Sequence, residues 1–293
     1  MLVKLEVNKR FEGLTIKELL KEYHVGKGKI EEIRVNKLVQ LNSNQVSLET
    51  KIKENDILSF NMEEKLNFKP SNKSIEVVYE DEQILLVNKP SGILIHPDGI
   101  SGNYDTLVNR VARYYLDNHL SLEVRYAHRI DEETSGLVLF CKDFLTHSML
   151  NYQIEEHIVI REYRALVHGS ISKNNGVLNF PIGRDRHISN KFRVSDSQKA
   201  KNALTNYQVI KRLKNKSLIS CILETGRTHQ IRVHLSYINH PLLGDTLYGG
   251  NKKEINRVAL HSYRVELVNP LTFKRINVIK EIPLDMEGVV NGK

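Results

Sequence analysis

Residues 126–140 have the sequence YAHRIDEETSGLVLF, and this stretch decides how the rest of the chain is interpreted. His128, Arg129 and Asp131 form a polar group near its start. The letters TSG that follow are typical of a turn, and the continuous apolar run LVLF favours a buried strand. A carboxylate beside a cation, at a turn leading into a core strand, indicates either a catalytic site or an Arg–Asp pair that only stabilises the turn.

The same stretch also resembles the His-Arg-Asp catalytic loop of protein kinases. The chain has no Gly-x-Gly-x-x-Gly loop and no Asp-Phe-Gly segment, and no lysine lies on a preceding strand in the required context. These absences from the sequence exclude a protein kinase.

Residues 128–137, HRIDEETSGL, closely resemble the HRLDxxTSGL motif of the RluA-type RNA pseudouridine synthases, with Ile130 in the usual Leu position. The resemblance implies an enzyme that isomerises uridine in RNA, with Asp131 as the essential carboxylate and with no cofactor. It also implies an α+β fold: a mixed, largely antiparallel sheet with flanking helices and a central catalytic cleft. Further motif matches, which occur in the family's order over residues 76–270, strengthen the resemblance.

The second specific signal is GRTHQIRVH at residues 226–234, which matches the same family at every position. By that resemblance Arg227 forms the ion pair with the catalytic Asp131, and His229 and Arg232 are structural or face the RNA. A zinc site is rejected because His229 and His234 lack the helical spacing and the intervening Glu of zinc motifs, and no third ligand is evident.

A strand is predicted over residues 158–169, and its alternation places Arg161, Tyr163 and Ala165 on one face. From the residues alone, a strand tyrosine indicates packing. The segment resembles the family pattern Lys-x-Tyr-x-Ala-Leu-Val-x-Gly, with Arg161 in the Lys position. The resemblance implies that Tyr163 stacks on the target base and assists the proton chemistry.

Two other basic residues are candidates for RNA contact. Lys89, in an Asn-Lys-Pro-x-Gly segment that also matches the family, either contacts a phosphate or is an ordinary turn lysine. Arg129 is expected to fill the gap that a flipped uridine leaves in the RNA stack, since a planar guanidinium stacks on bases and binds phosphates. His96, beside Pro97, is expected to be structural.

Residues 1–70 are predicted to form a small α+β domain that resembles an S4-like RNA-binding module, with Lys27 and Lys29 on its basic face. Two glycines common in such modules are replaced, by Lys37 and Ser43. The alternative is an appendage whose lysines are only its solvated face.

The remaining elements follow from apolar periodicity and turn signals. Residues 71–293 are predicted to form the catalytic domain, after a polar linker at residues 65–74. The other predicted elements are helices at 14–23, 106–116 and 144–156, strands at 39–41, 46–48 and 217–223, two strands joined by an acidic turn within 75–87, and a loose tail at 286–293.

The composition suits a nucleic-acid partner, because the 293-residue chain has a formal net charge of +8. Cys141 and Cys221 lie in apolar runs and are expected to be buried free thiols. The chain shows no secretory apolar segment and no run of membrane-spanning length. We therefore expect a cytoplasmic, monomeric protein that does not bind a membrane.

Three functions remain open at this point. The first is isomerisation of uridine, with ribosomal RNA favoured over transfer RNA because the S4-bearing members of the family act largely on ribosomal RNA. The second is an RNA-binding assembly factor that uses the same scaffold without catalysis. The third is a ribonucleoside hydrolase, which would use similar carboxylate chemistry but release free base.

Overall fold

The computed structural model describes residues 2–99 and 104–292. Two separate β-sheets and one small hairpin organise these residues, and helices pack against the sheets. The main sheet is mixed but largely antiparallel, so the predicted α+β class is confirmed.

The N-terminal unit, residues 2–62, contains a four-stranded antiparallel sheet and two helices. Its elements are β1 (Leu2–Glu6), a 3₁₀ turn (Lys9–Phe11), α1 (Ile16–Glu22), α2 (Lys27–Val35), β2 (Val39–Leu41), β3 (Asn44–Gln45) and β4 (Ile57–Asn61). The strand order is β1–β4–β2–β3. Thr15 and Glu18 form a capping box, which explains why α1 begins where it does.

Two details of this unit differ from the expectations. The strand predicted at residues 46–48 is not formed, although Leu48 is buried in the core of the unit. Lys37 and Ser43, which replace common glycines, have φ angles of 52° and 68°. This left-handed conformation is one that glycine adopts most easily, which accounts for its frequency at these positions in similar modules.

The main sheet has ten strands, and a separate two-stranded hairpin lies beside it. The strands of the sheet are β5 (Glu76–Glu80), β6 (Ile84–Lys89), β7 (Arg125–Tyr126), β8 (Ser135–Cys141), β9 (Ile160–His168), β10 (Asn175–Asn179), β13 (Leu204–Leu213), β14 (Lys216–Leu223), β15 (Leu260–Val268) and β16 (Arg275–Ile279). The hairpin consists of β11 (Ile182–Arg184) and β12 (Phe192–Val194). The path through the sheet is β10–β13–β14–β9–β15–β8–β6–β5, with β16 on β15 and β7 on β8.

Four helices and a 3₁₀ turn complete this part of the chain. They are α3 (Leu107–Asp117), α4 (Phe144–Glu155), α5 (Gln230–Tyr237), the 3₁₀ turn (Thr246–Tyr248) and α6 (Leu284–Asn291). The predicted helices at 106–116 and 144–156 correspond to α3 and α4. The predicted loose tail is wrong, since α6 forms there and Met286 is fully buried; Lys293 lies outside the described residues.

Strand β8 lies inside the sheet and is buried on both faces, as its continuous apolar sequence predicts. Leu137 and Leu139 belong to the cluster that includes Leu150 of α4, whereas Val138 and Phe140 belong to the cluster on the other face, under α3. This buried strand fixes the position of the motif that precedes it.

The N-terminal unit packs directly on the rest of the chain. The rings of Phe60 and Phe144 make an edge-to-face contact at 5.6 Å, and the Tyr23 hydroxyl donates to the carbonyl of Pro270. The predicted linker has no helix or strand. Just before it, Glu64 forms a largely buried ion pair with Arg125 at 2.8 Å.

Two further predictions concern burial and length. Cys141 and Cys221 are buried free thiols, as expected. Within the described ranges, 2–99 and 104–292, no helix has the length and apolarity needed to cross a membrane.

Candidate active site

A cleft of about 1350 Å³ is lined by the motif loop (residues 126–134), by residues near the start of β9, and by the segment that leads into α5. The predicted site residues that line this cleft are Arg129, Asp131, Tyr163, Arg227 and Arg232. The two sequence motifs therefore meet at one site although they are far apart in the chain.

Backbone contacts hold the motif loop in place. The carbonyl of Glu132 accepts from the backbone N–H of Gly92 at 2.9 Å and from Lys89 Nζ at 2.8 Å. The Ser91 hydroxyl donates to the carbonyl of Glu133 at 2.7 Å. The end of β6 and the turn after it thus fasten the loop immediately after Asp131.

The TSG part of the motif allows strands β8 and β15 to approach each other closely. Gly136 has a φ of 110°, and a Cβ there would lie 2.2 Å from the carbonyl oxygen of Ser262 on the adjacent β15. Beside it, Ser135 Oγ and His261 Nδ1 are 2.9 Å apart. Because His261 Nε2 contacts the carbonyl of Lys280, that nitrogen carries the proton and the Ser135 hydroxyl donates to Nδ1.

Asp131 belongs to a cluster of two carboxylates that share one guanidinium. Arg232 Nη1 lies 3.3 Å from Asp131 Oδ2, and Arg232 Nε and Nη2 donate to the two carboxylate oxygens of Asp245 at 2.8 and 2.9 Å. Burial disfavours the charged guanidinium, but Asp245 and then Asp131 outweigh it, so the pKa of Arg232 is raised. Asp245 is fully buried and Asp131 is partly exposed to the cleft.

The expectation that Arg227 forms the ion pair with Asp131 is wrong. Arg227 lies before the first turn of α5, and its Nε donates to the carbonyl of Asn202 at 2.9 Å. Arg232 lies inside the helix and is oriented by Asp245, a residue outside both sequence motifs. Of the two roles expected for Arg232, structural or facing the RNA, the structural one is supported, because the two carboxylates occupy its nearly buried side chain.

His229 is the second cation-forming group near the carboxylate. Its Nε2 lies 4.0 Å from Asp131 Oδ2, and its Nδ1 is 2.9 Å from the hydroxyl of Tyr248. Burial lowers the pKa of His229, although the charge of Asp131 opposes this effect. The imidazole is therefore mostly neutral near pH 7 and adds little positive charge beside Asp131.

Tyr163 lies on β9 and lines the cleft with only 4% of its surface exposed. Burial raises the pKa of its hydroxyl, the charge of Arg161 lowers it, and the charge of Asp131 raises it. The net direction is upward, so Tyr163 is a neutral phenol near pH 7. Arg161 lines the cleft as well.

Comparison with known proteins identifies the family. A family model described as RNA pseudouridylate synthase matches residues 83–237, which is more than half of the chain. The chain belongs to this family. A second model, described as the RluD ribosomal pseudouridine synthase N-terminal domain, matches residues 3–58, in agreement with the S4-like resemblance of the N-terminal unit.

Individual relatives agree with this assignment. The uncharacterized RNA pseudouridine synthase YhcT of Bacillus subtilis (strain 168) is 40% identical over 222 residues, covering 75% of this chain and 72% of the relative. Ribosomal large subunit pseudouridine synthase D of Zymomonas mobilis is 40% identical over 233 residues, covering 74% and 72%. Human RNA pseudouridylate synthase domain containing 1 shares the fold, with a TM-score of 0.60 and 24% identity, covering 73% of this chain and 86% of that one. As a member of the family, the protein is an RNA pseudouridine synthase that isomerises uridine in RNA.

In this pseudouridine synthase Lys89 does not have the predicted phosphate contact. The residue is fully buried, and its Nζ donates to the carbonyls of Pro90, Ile93 and Glu132 at 3.0, 2.8 and 2.8 Å. Burial lowers its pKa to about 7, although the charges of Asp131 and Glu132 oppose this shift. Lys89 is thus an internal tether of the motif loop rather than a ligand for RNA.

Arg129 of the synthase is exposed at the mouth of the cleft. Its Nη1 lies 3.4 Å from Nε2 of His96, whose Nδ1 is 2.9 Å from the carbonyl of Pro97. Since a carbonyl only accepts, Nδ1 carries the proton and Nε2 accepts from Arg129. His96 therefore supports an arginine that is exposed at the mouth of the cleft.

Lys27 and Lys29 lie in the first turn of α2 on the N-terminal unit, and neither lines the cleft. Lys27 is exposed. Lys29 Nζ contacts both carboxylate oxygens of Glu32 at 3.1 Å. Any contact they make with RNA would therefore be separate from the catalytic site.

Proposed function

We propose that this RNA pseudouridine synthase uses the carboxylate of Asp131 on the ribose of a uridine in structured ribosomal RNA. The observation that carries the proposal is the position of Asp131, which faces the cleft beside Arg232 while Asp245 holds Arg232 from behind. The adjacent guanidinium of Arg232 fixes the orientation of this carboxylate through a charge-assisted contact at 3.3 Å.

Isomerisation requires the bond between C1′ and N1 to break, the uracil to turn, and C5 to join C1′. The proton on C5 is released and N1 gains a proton, so the reaction is redox-neutral and needs no oxidant or reductant. Asp131 either attacks C1′ or removes a neighbouring ribose proton. In both routes Arg232 and Asp245 serve to aim its carboxylate at the sugar.

Two other residues support the uridine in this proposal. The target base must leave the RNA stack, which costs a few kcal/mol. Tyr163, a buried neutral phenol in the cleft, offers a ring for the flipped base. Arg129, exposed at the mouth, offers a planar guanidinium that can fill the vacated position in the stack.

Ribosomal RNA is the favoured substrate for two reasons. The N-terminal unit matches the model of a ribosomal pseudouridine synthase domain, and a relative that is 40% identical is named for the large ribosomal subunit. We further propose that the enzyme works as a monomer, since one chain supplies all the residues named for the chemistry. We also propose that it acts in the cytoplasm.

We also propose a division of labour, with residues 1–70 binding RNA and residues 71–293 carrying out catalysis. Support comes from the separate sheets of the two parts and from the separate family models that match residues 3–58 and 83–237. Replacing Lys27 and Lys29 with alanine is expected to lower the affinity for RNA and to make that affinity less dependent on salt concentration. The single-turnover rate at saturation should be unchanged.

The substrate is tested with RNA that carries tritium at C5 of uridine, because pseudouridine formation releases that label to water. Ribosomal and transfer RNA are compared with the wild-type enzyme under the same conditions. Release from ribosomal RNA at a higher rate supports the proposal. Release from transfer RNA alone would contradict the ribosomal assignment, and intact binding without release from either RNA would favour the binding-only function.

A further inference from the structure

Arg161 is a buried arginine in the cleft that has no carboxylate partner in the described part of the chain. It is 5% exposed and lines the cleft from β9, two positions before Tyr163 and on the same face. Its Nε is buried and makes no hydrogen bond. In the described ranges, 2–99 and 104–292, no carboxylate oxygen lies within 4.0 Å of its guanidinium, whereas the nearly buried Arg232 and Arg125 are both ion-paired.

Arg161 lines a cleft of about 1350 Å³, and a neutral imidazole and a glycine lie next to it. His128 is its buried neighbour, and burial and then the charge of Arg161 lower the pKa of His128 to about 3, so this imidazole is neutral. Gly226 has no side chain, and a Cβ there would lie 3.3 Å from Arg161 Nη1. A buried cation without a partner is costly, and a bound anion would relieve that cost.

The reaction forms an anion in this cleft. When the C1′–N1 bond breaks, the electron pair stays on uracil and its charge is spread over N1, O2 and O4. Arg232 cannot compensate this charge, because its single positive charge is already shared by Asp131 and Asp245. Arg161 is a cation in the same cleft, and among the described residues no carboxylate pairs with it.

We propose that Arg161 is a catalytic residue that donates to a carbonyl oxygen of the flipped uracil and stabilises the uracil anion before C5 joins C1′. The role rests on the proposed function of Asp131, which acts on the sugar while Arg161 acts on the base. A half-turn of uracil about its N3–C6 axis exchanges N1 with C5 and O2 with O4. The guanidinium therefore meets a carbonyl oxygen both before and after the turn.

The test compares wild type, Arg161→Met and Arg161→Lys in single-turnover reactions at saturating enzyme. Removing one donor to a developing anion typically costs about 10²- to 10³-fold in rate, and this is the loss expected for Arg161→Met, with RNA affinity within about twofold of wild type. Arg161→Lys should recover part of the rate. Arg164→Met is the matched control and should keep the wild-type rate, because Arg164 pairs with Glu162 and stacks on Tyr263 away from the cleft.

A second substrate separates catalysis from a structural role. RNA with 5-fluorouridine at the target position gives a more stable uracil anion, so cleavage of its C1′–N1 bond should lose less on Arg161→Met than cleavage of uridine does. Bond cleavage is followed by digestion and chromatography of the nucleosides. An equal loss with both substrates would overturn the proposal in favour of a structural role.

A phosphate contact is the remaining alternative and has a different signature. In that case Arg161→Met would weaken RNA binding and reduce the salt slope by about 1, with an unchanged rate at saturation. That result would also overturn the proposal. Failure of the proposed function itself is distinguishable, because wild type would then release no tritium or Asp131→Asn would be fully active.

Discussion

Arg232 Nη1 lies 3.3 Å from Asp131 Oδ2. The arginine is positioned by a second carboxylate, Asp245, which binds its opposite edge through two hydrogen bonds. Because Asp245 is fully buried, the folded core fixes the orientation of the Arg232 guanidinium beside Asp131.

Arg232 and Arg227 should therefore differ in their effect on catalysis. Arg232→Lys keeps a positive charge but loses the planar fork that binds Asp245 through two hydrogen bonds while it reaches Asp131. It is expected to lower the single-turnover rate at least about 100-fold. Arg227→Lys should lower it less than about 10-fold, because Arg227 donates to a backbone carbonyl instead of to Asp131. Equal losses in the two variants, measured on the same RNA, would contradict the assigned ion pair.

Lys89 should make stability depend on pH in the alkaline range. Its pKa is lowered from 10.5 to about 7 in the folded protein. Between these values the unfolded chain binds a proton that the folded chain does not, so the free energy of unfolding contributed by this group rises with pH. Urea unfolding of wild type and Lys89→Met at several pH values should give a difference that shifts in favour of wild type as pH rises above 7. A difference independent of pH would show that Lys89 does not titrate in this window.

Gly136 should not tolerate a side chain. Gly136→Ala places a Cβ 2.2 Å from a backbone oxygen of Ser262, and the expected loss in the free energy of unfolding is about 3 kcal/mol or more. Gly13→Ala is the control, since Gly13 also has a positive φ, 87°, but no atom lies within 4 Å of the added Cβ. Chemical denaturation should show a clearly smaller loss for the control, of about 1–2 kcal/mol.

Arg129 should matter for flipping the base. Arg129→Ala is expected to weaken productive RNA binding more than Arg227→Ala, because only Arg129 is assigned to the vacated position in the stack. Fluorescence of a 2-aminopurine placed beside the target uridine reports unstacking, and the variant should show a smaller increase than wild type. Wild-type RNA affinity in Arg129→Ala would refute this role.

Patterns in the sequence that reflect local physics predicted the fold well. The apolar run of β8 required burial on both faces, and the apolar periodicity of residues 106–116 predicted α3. Both signals depend on residues close in sequence. The prediction of a loose tail was wrong because Met286 packs in a core cluster with Leu166 and Leu243, which lie far away in the chain.

The partners of the site residues could not be obtained from the sequence. Arg227 and Arg232 occur in one short motif, and the choice between them depends on where α5 begins and on Asp245 behind it. The partners of Lys89 could not be predicted either. Its position beside Pro90 suggested an exposed turn, whereas the folded chain surrounds its ammonium group with carbonyls. Long-range packing decides both cases.

The role of Asp131 is tested by tritium release from C5-labelled ribosomal RNA, measured for wild type and Asp131→Asn. Asp117→Asn is the matched control, because Asp117 is an exposed carboxylate in α3 that pairs with Arg113. Wild type and Asp117→Asn are expected to release tritium, whereas Asp131→Asn is expected to release none and still to bind RNA. Release by Asp131→Asn at the wild-type rate would show that this carboxylate does not carry the reaction.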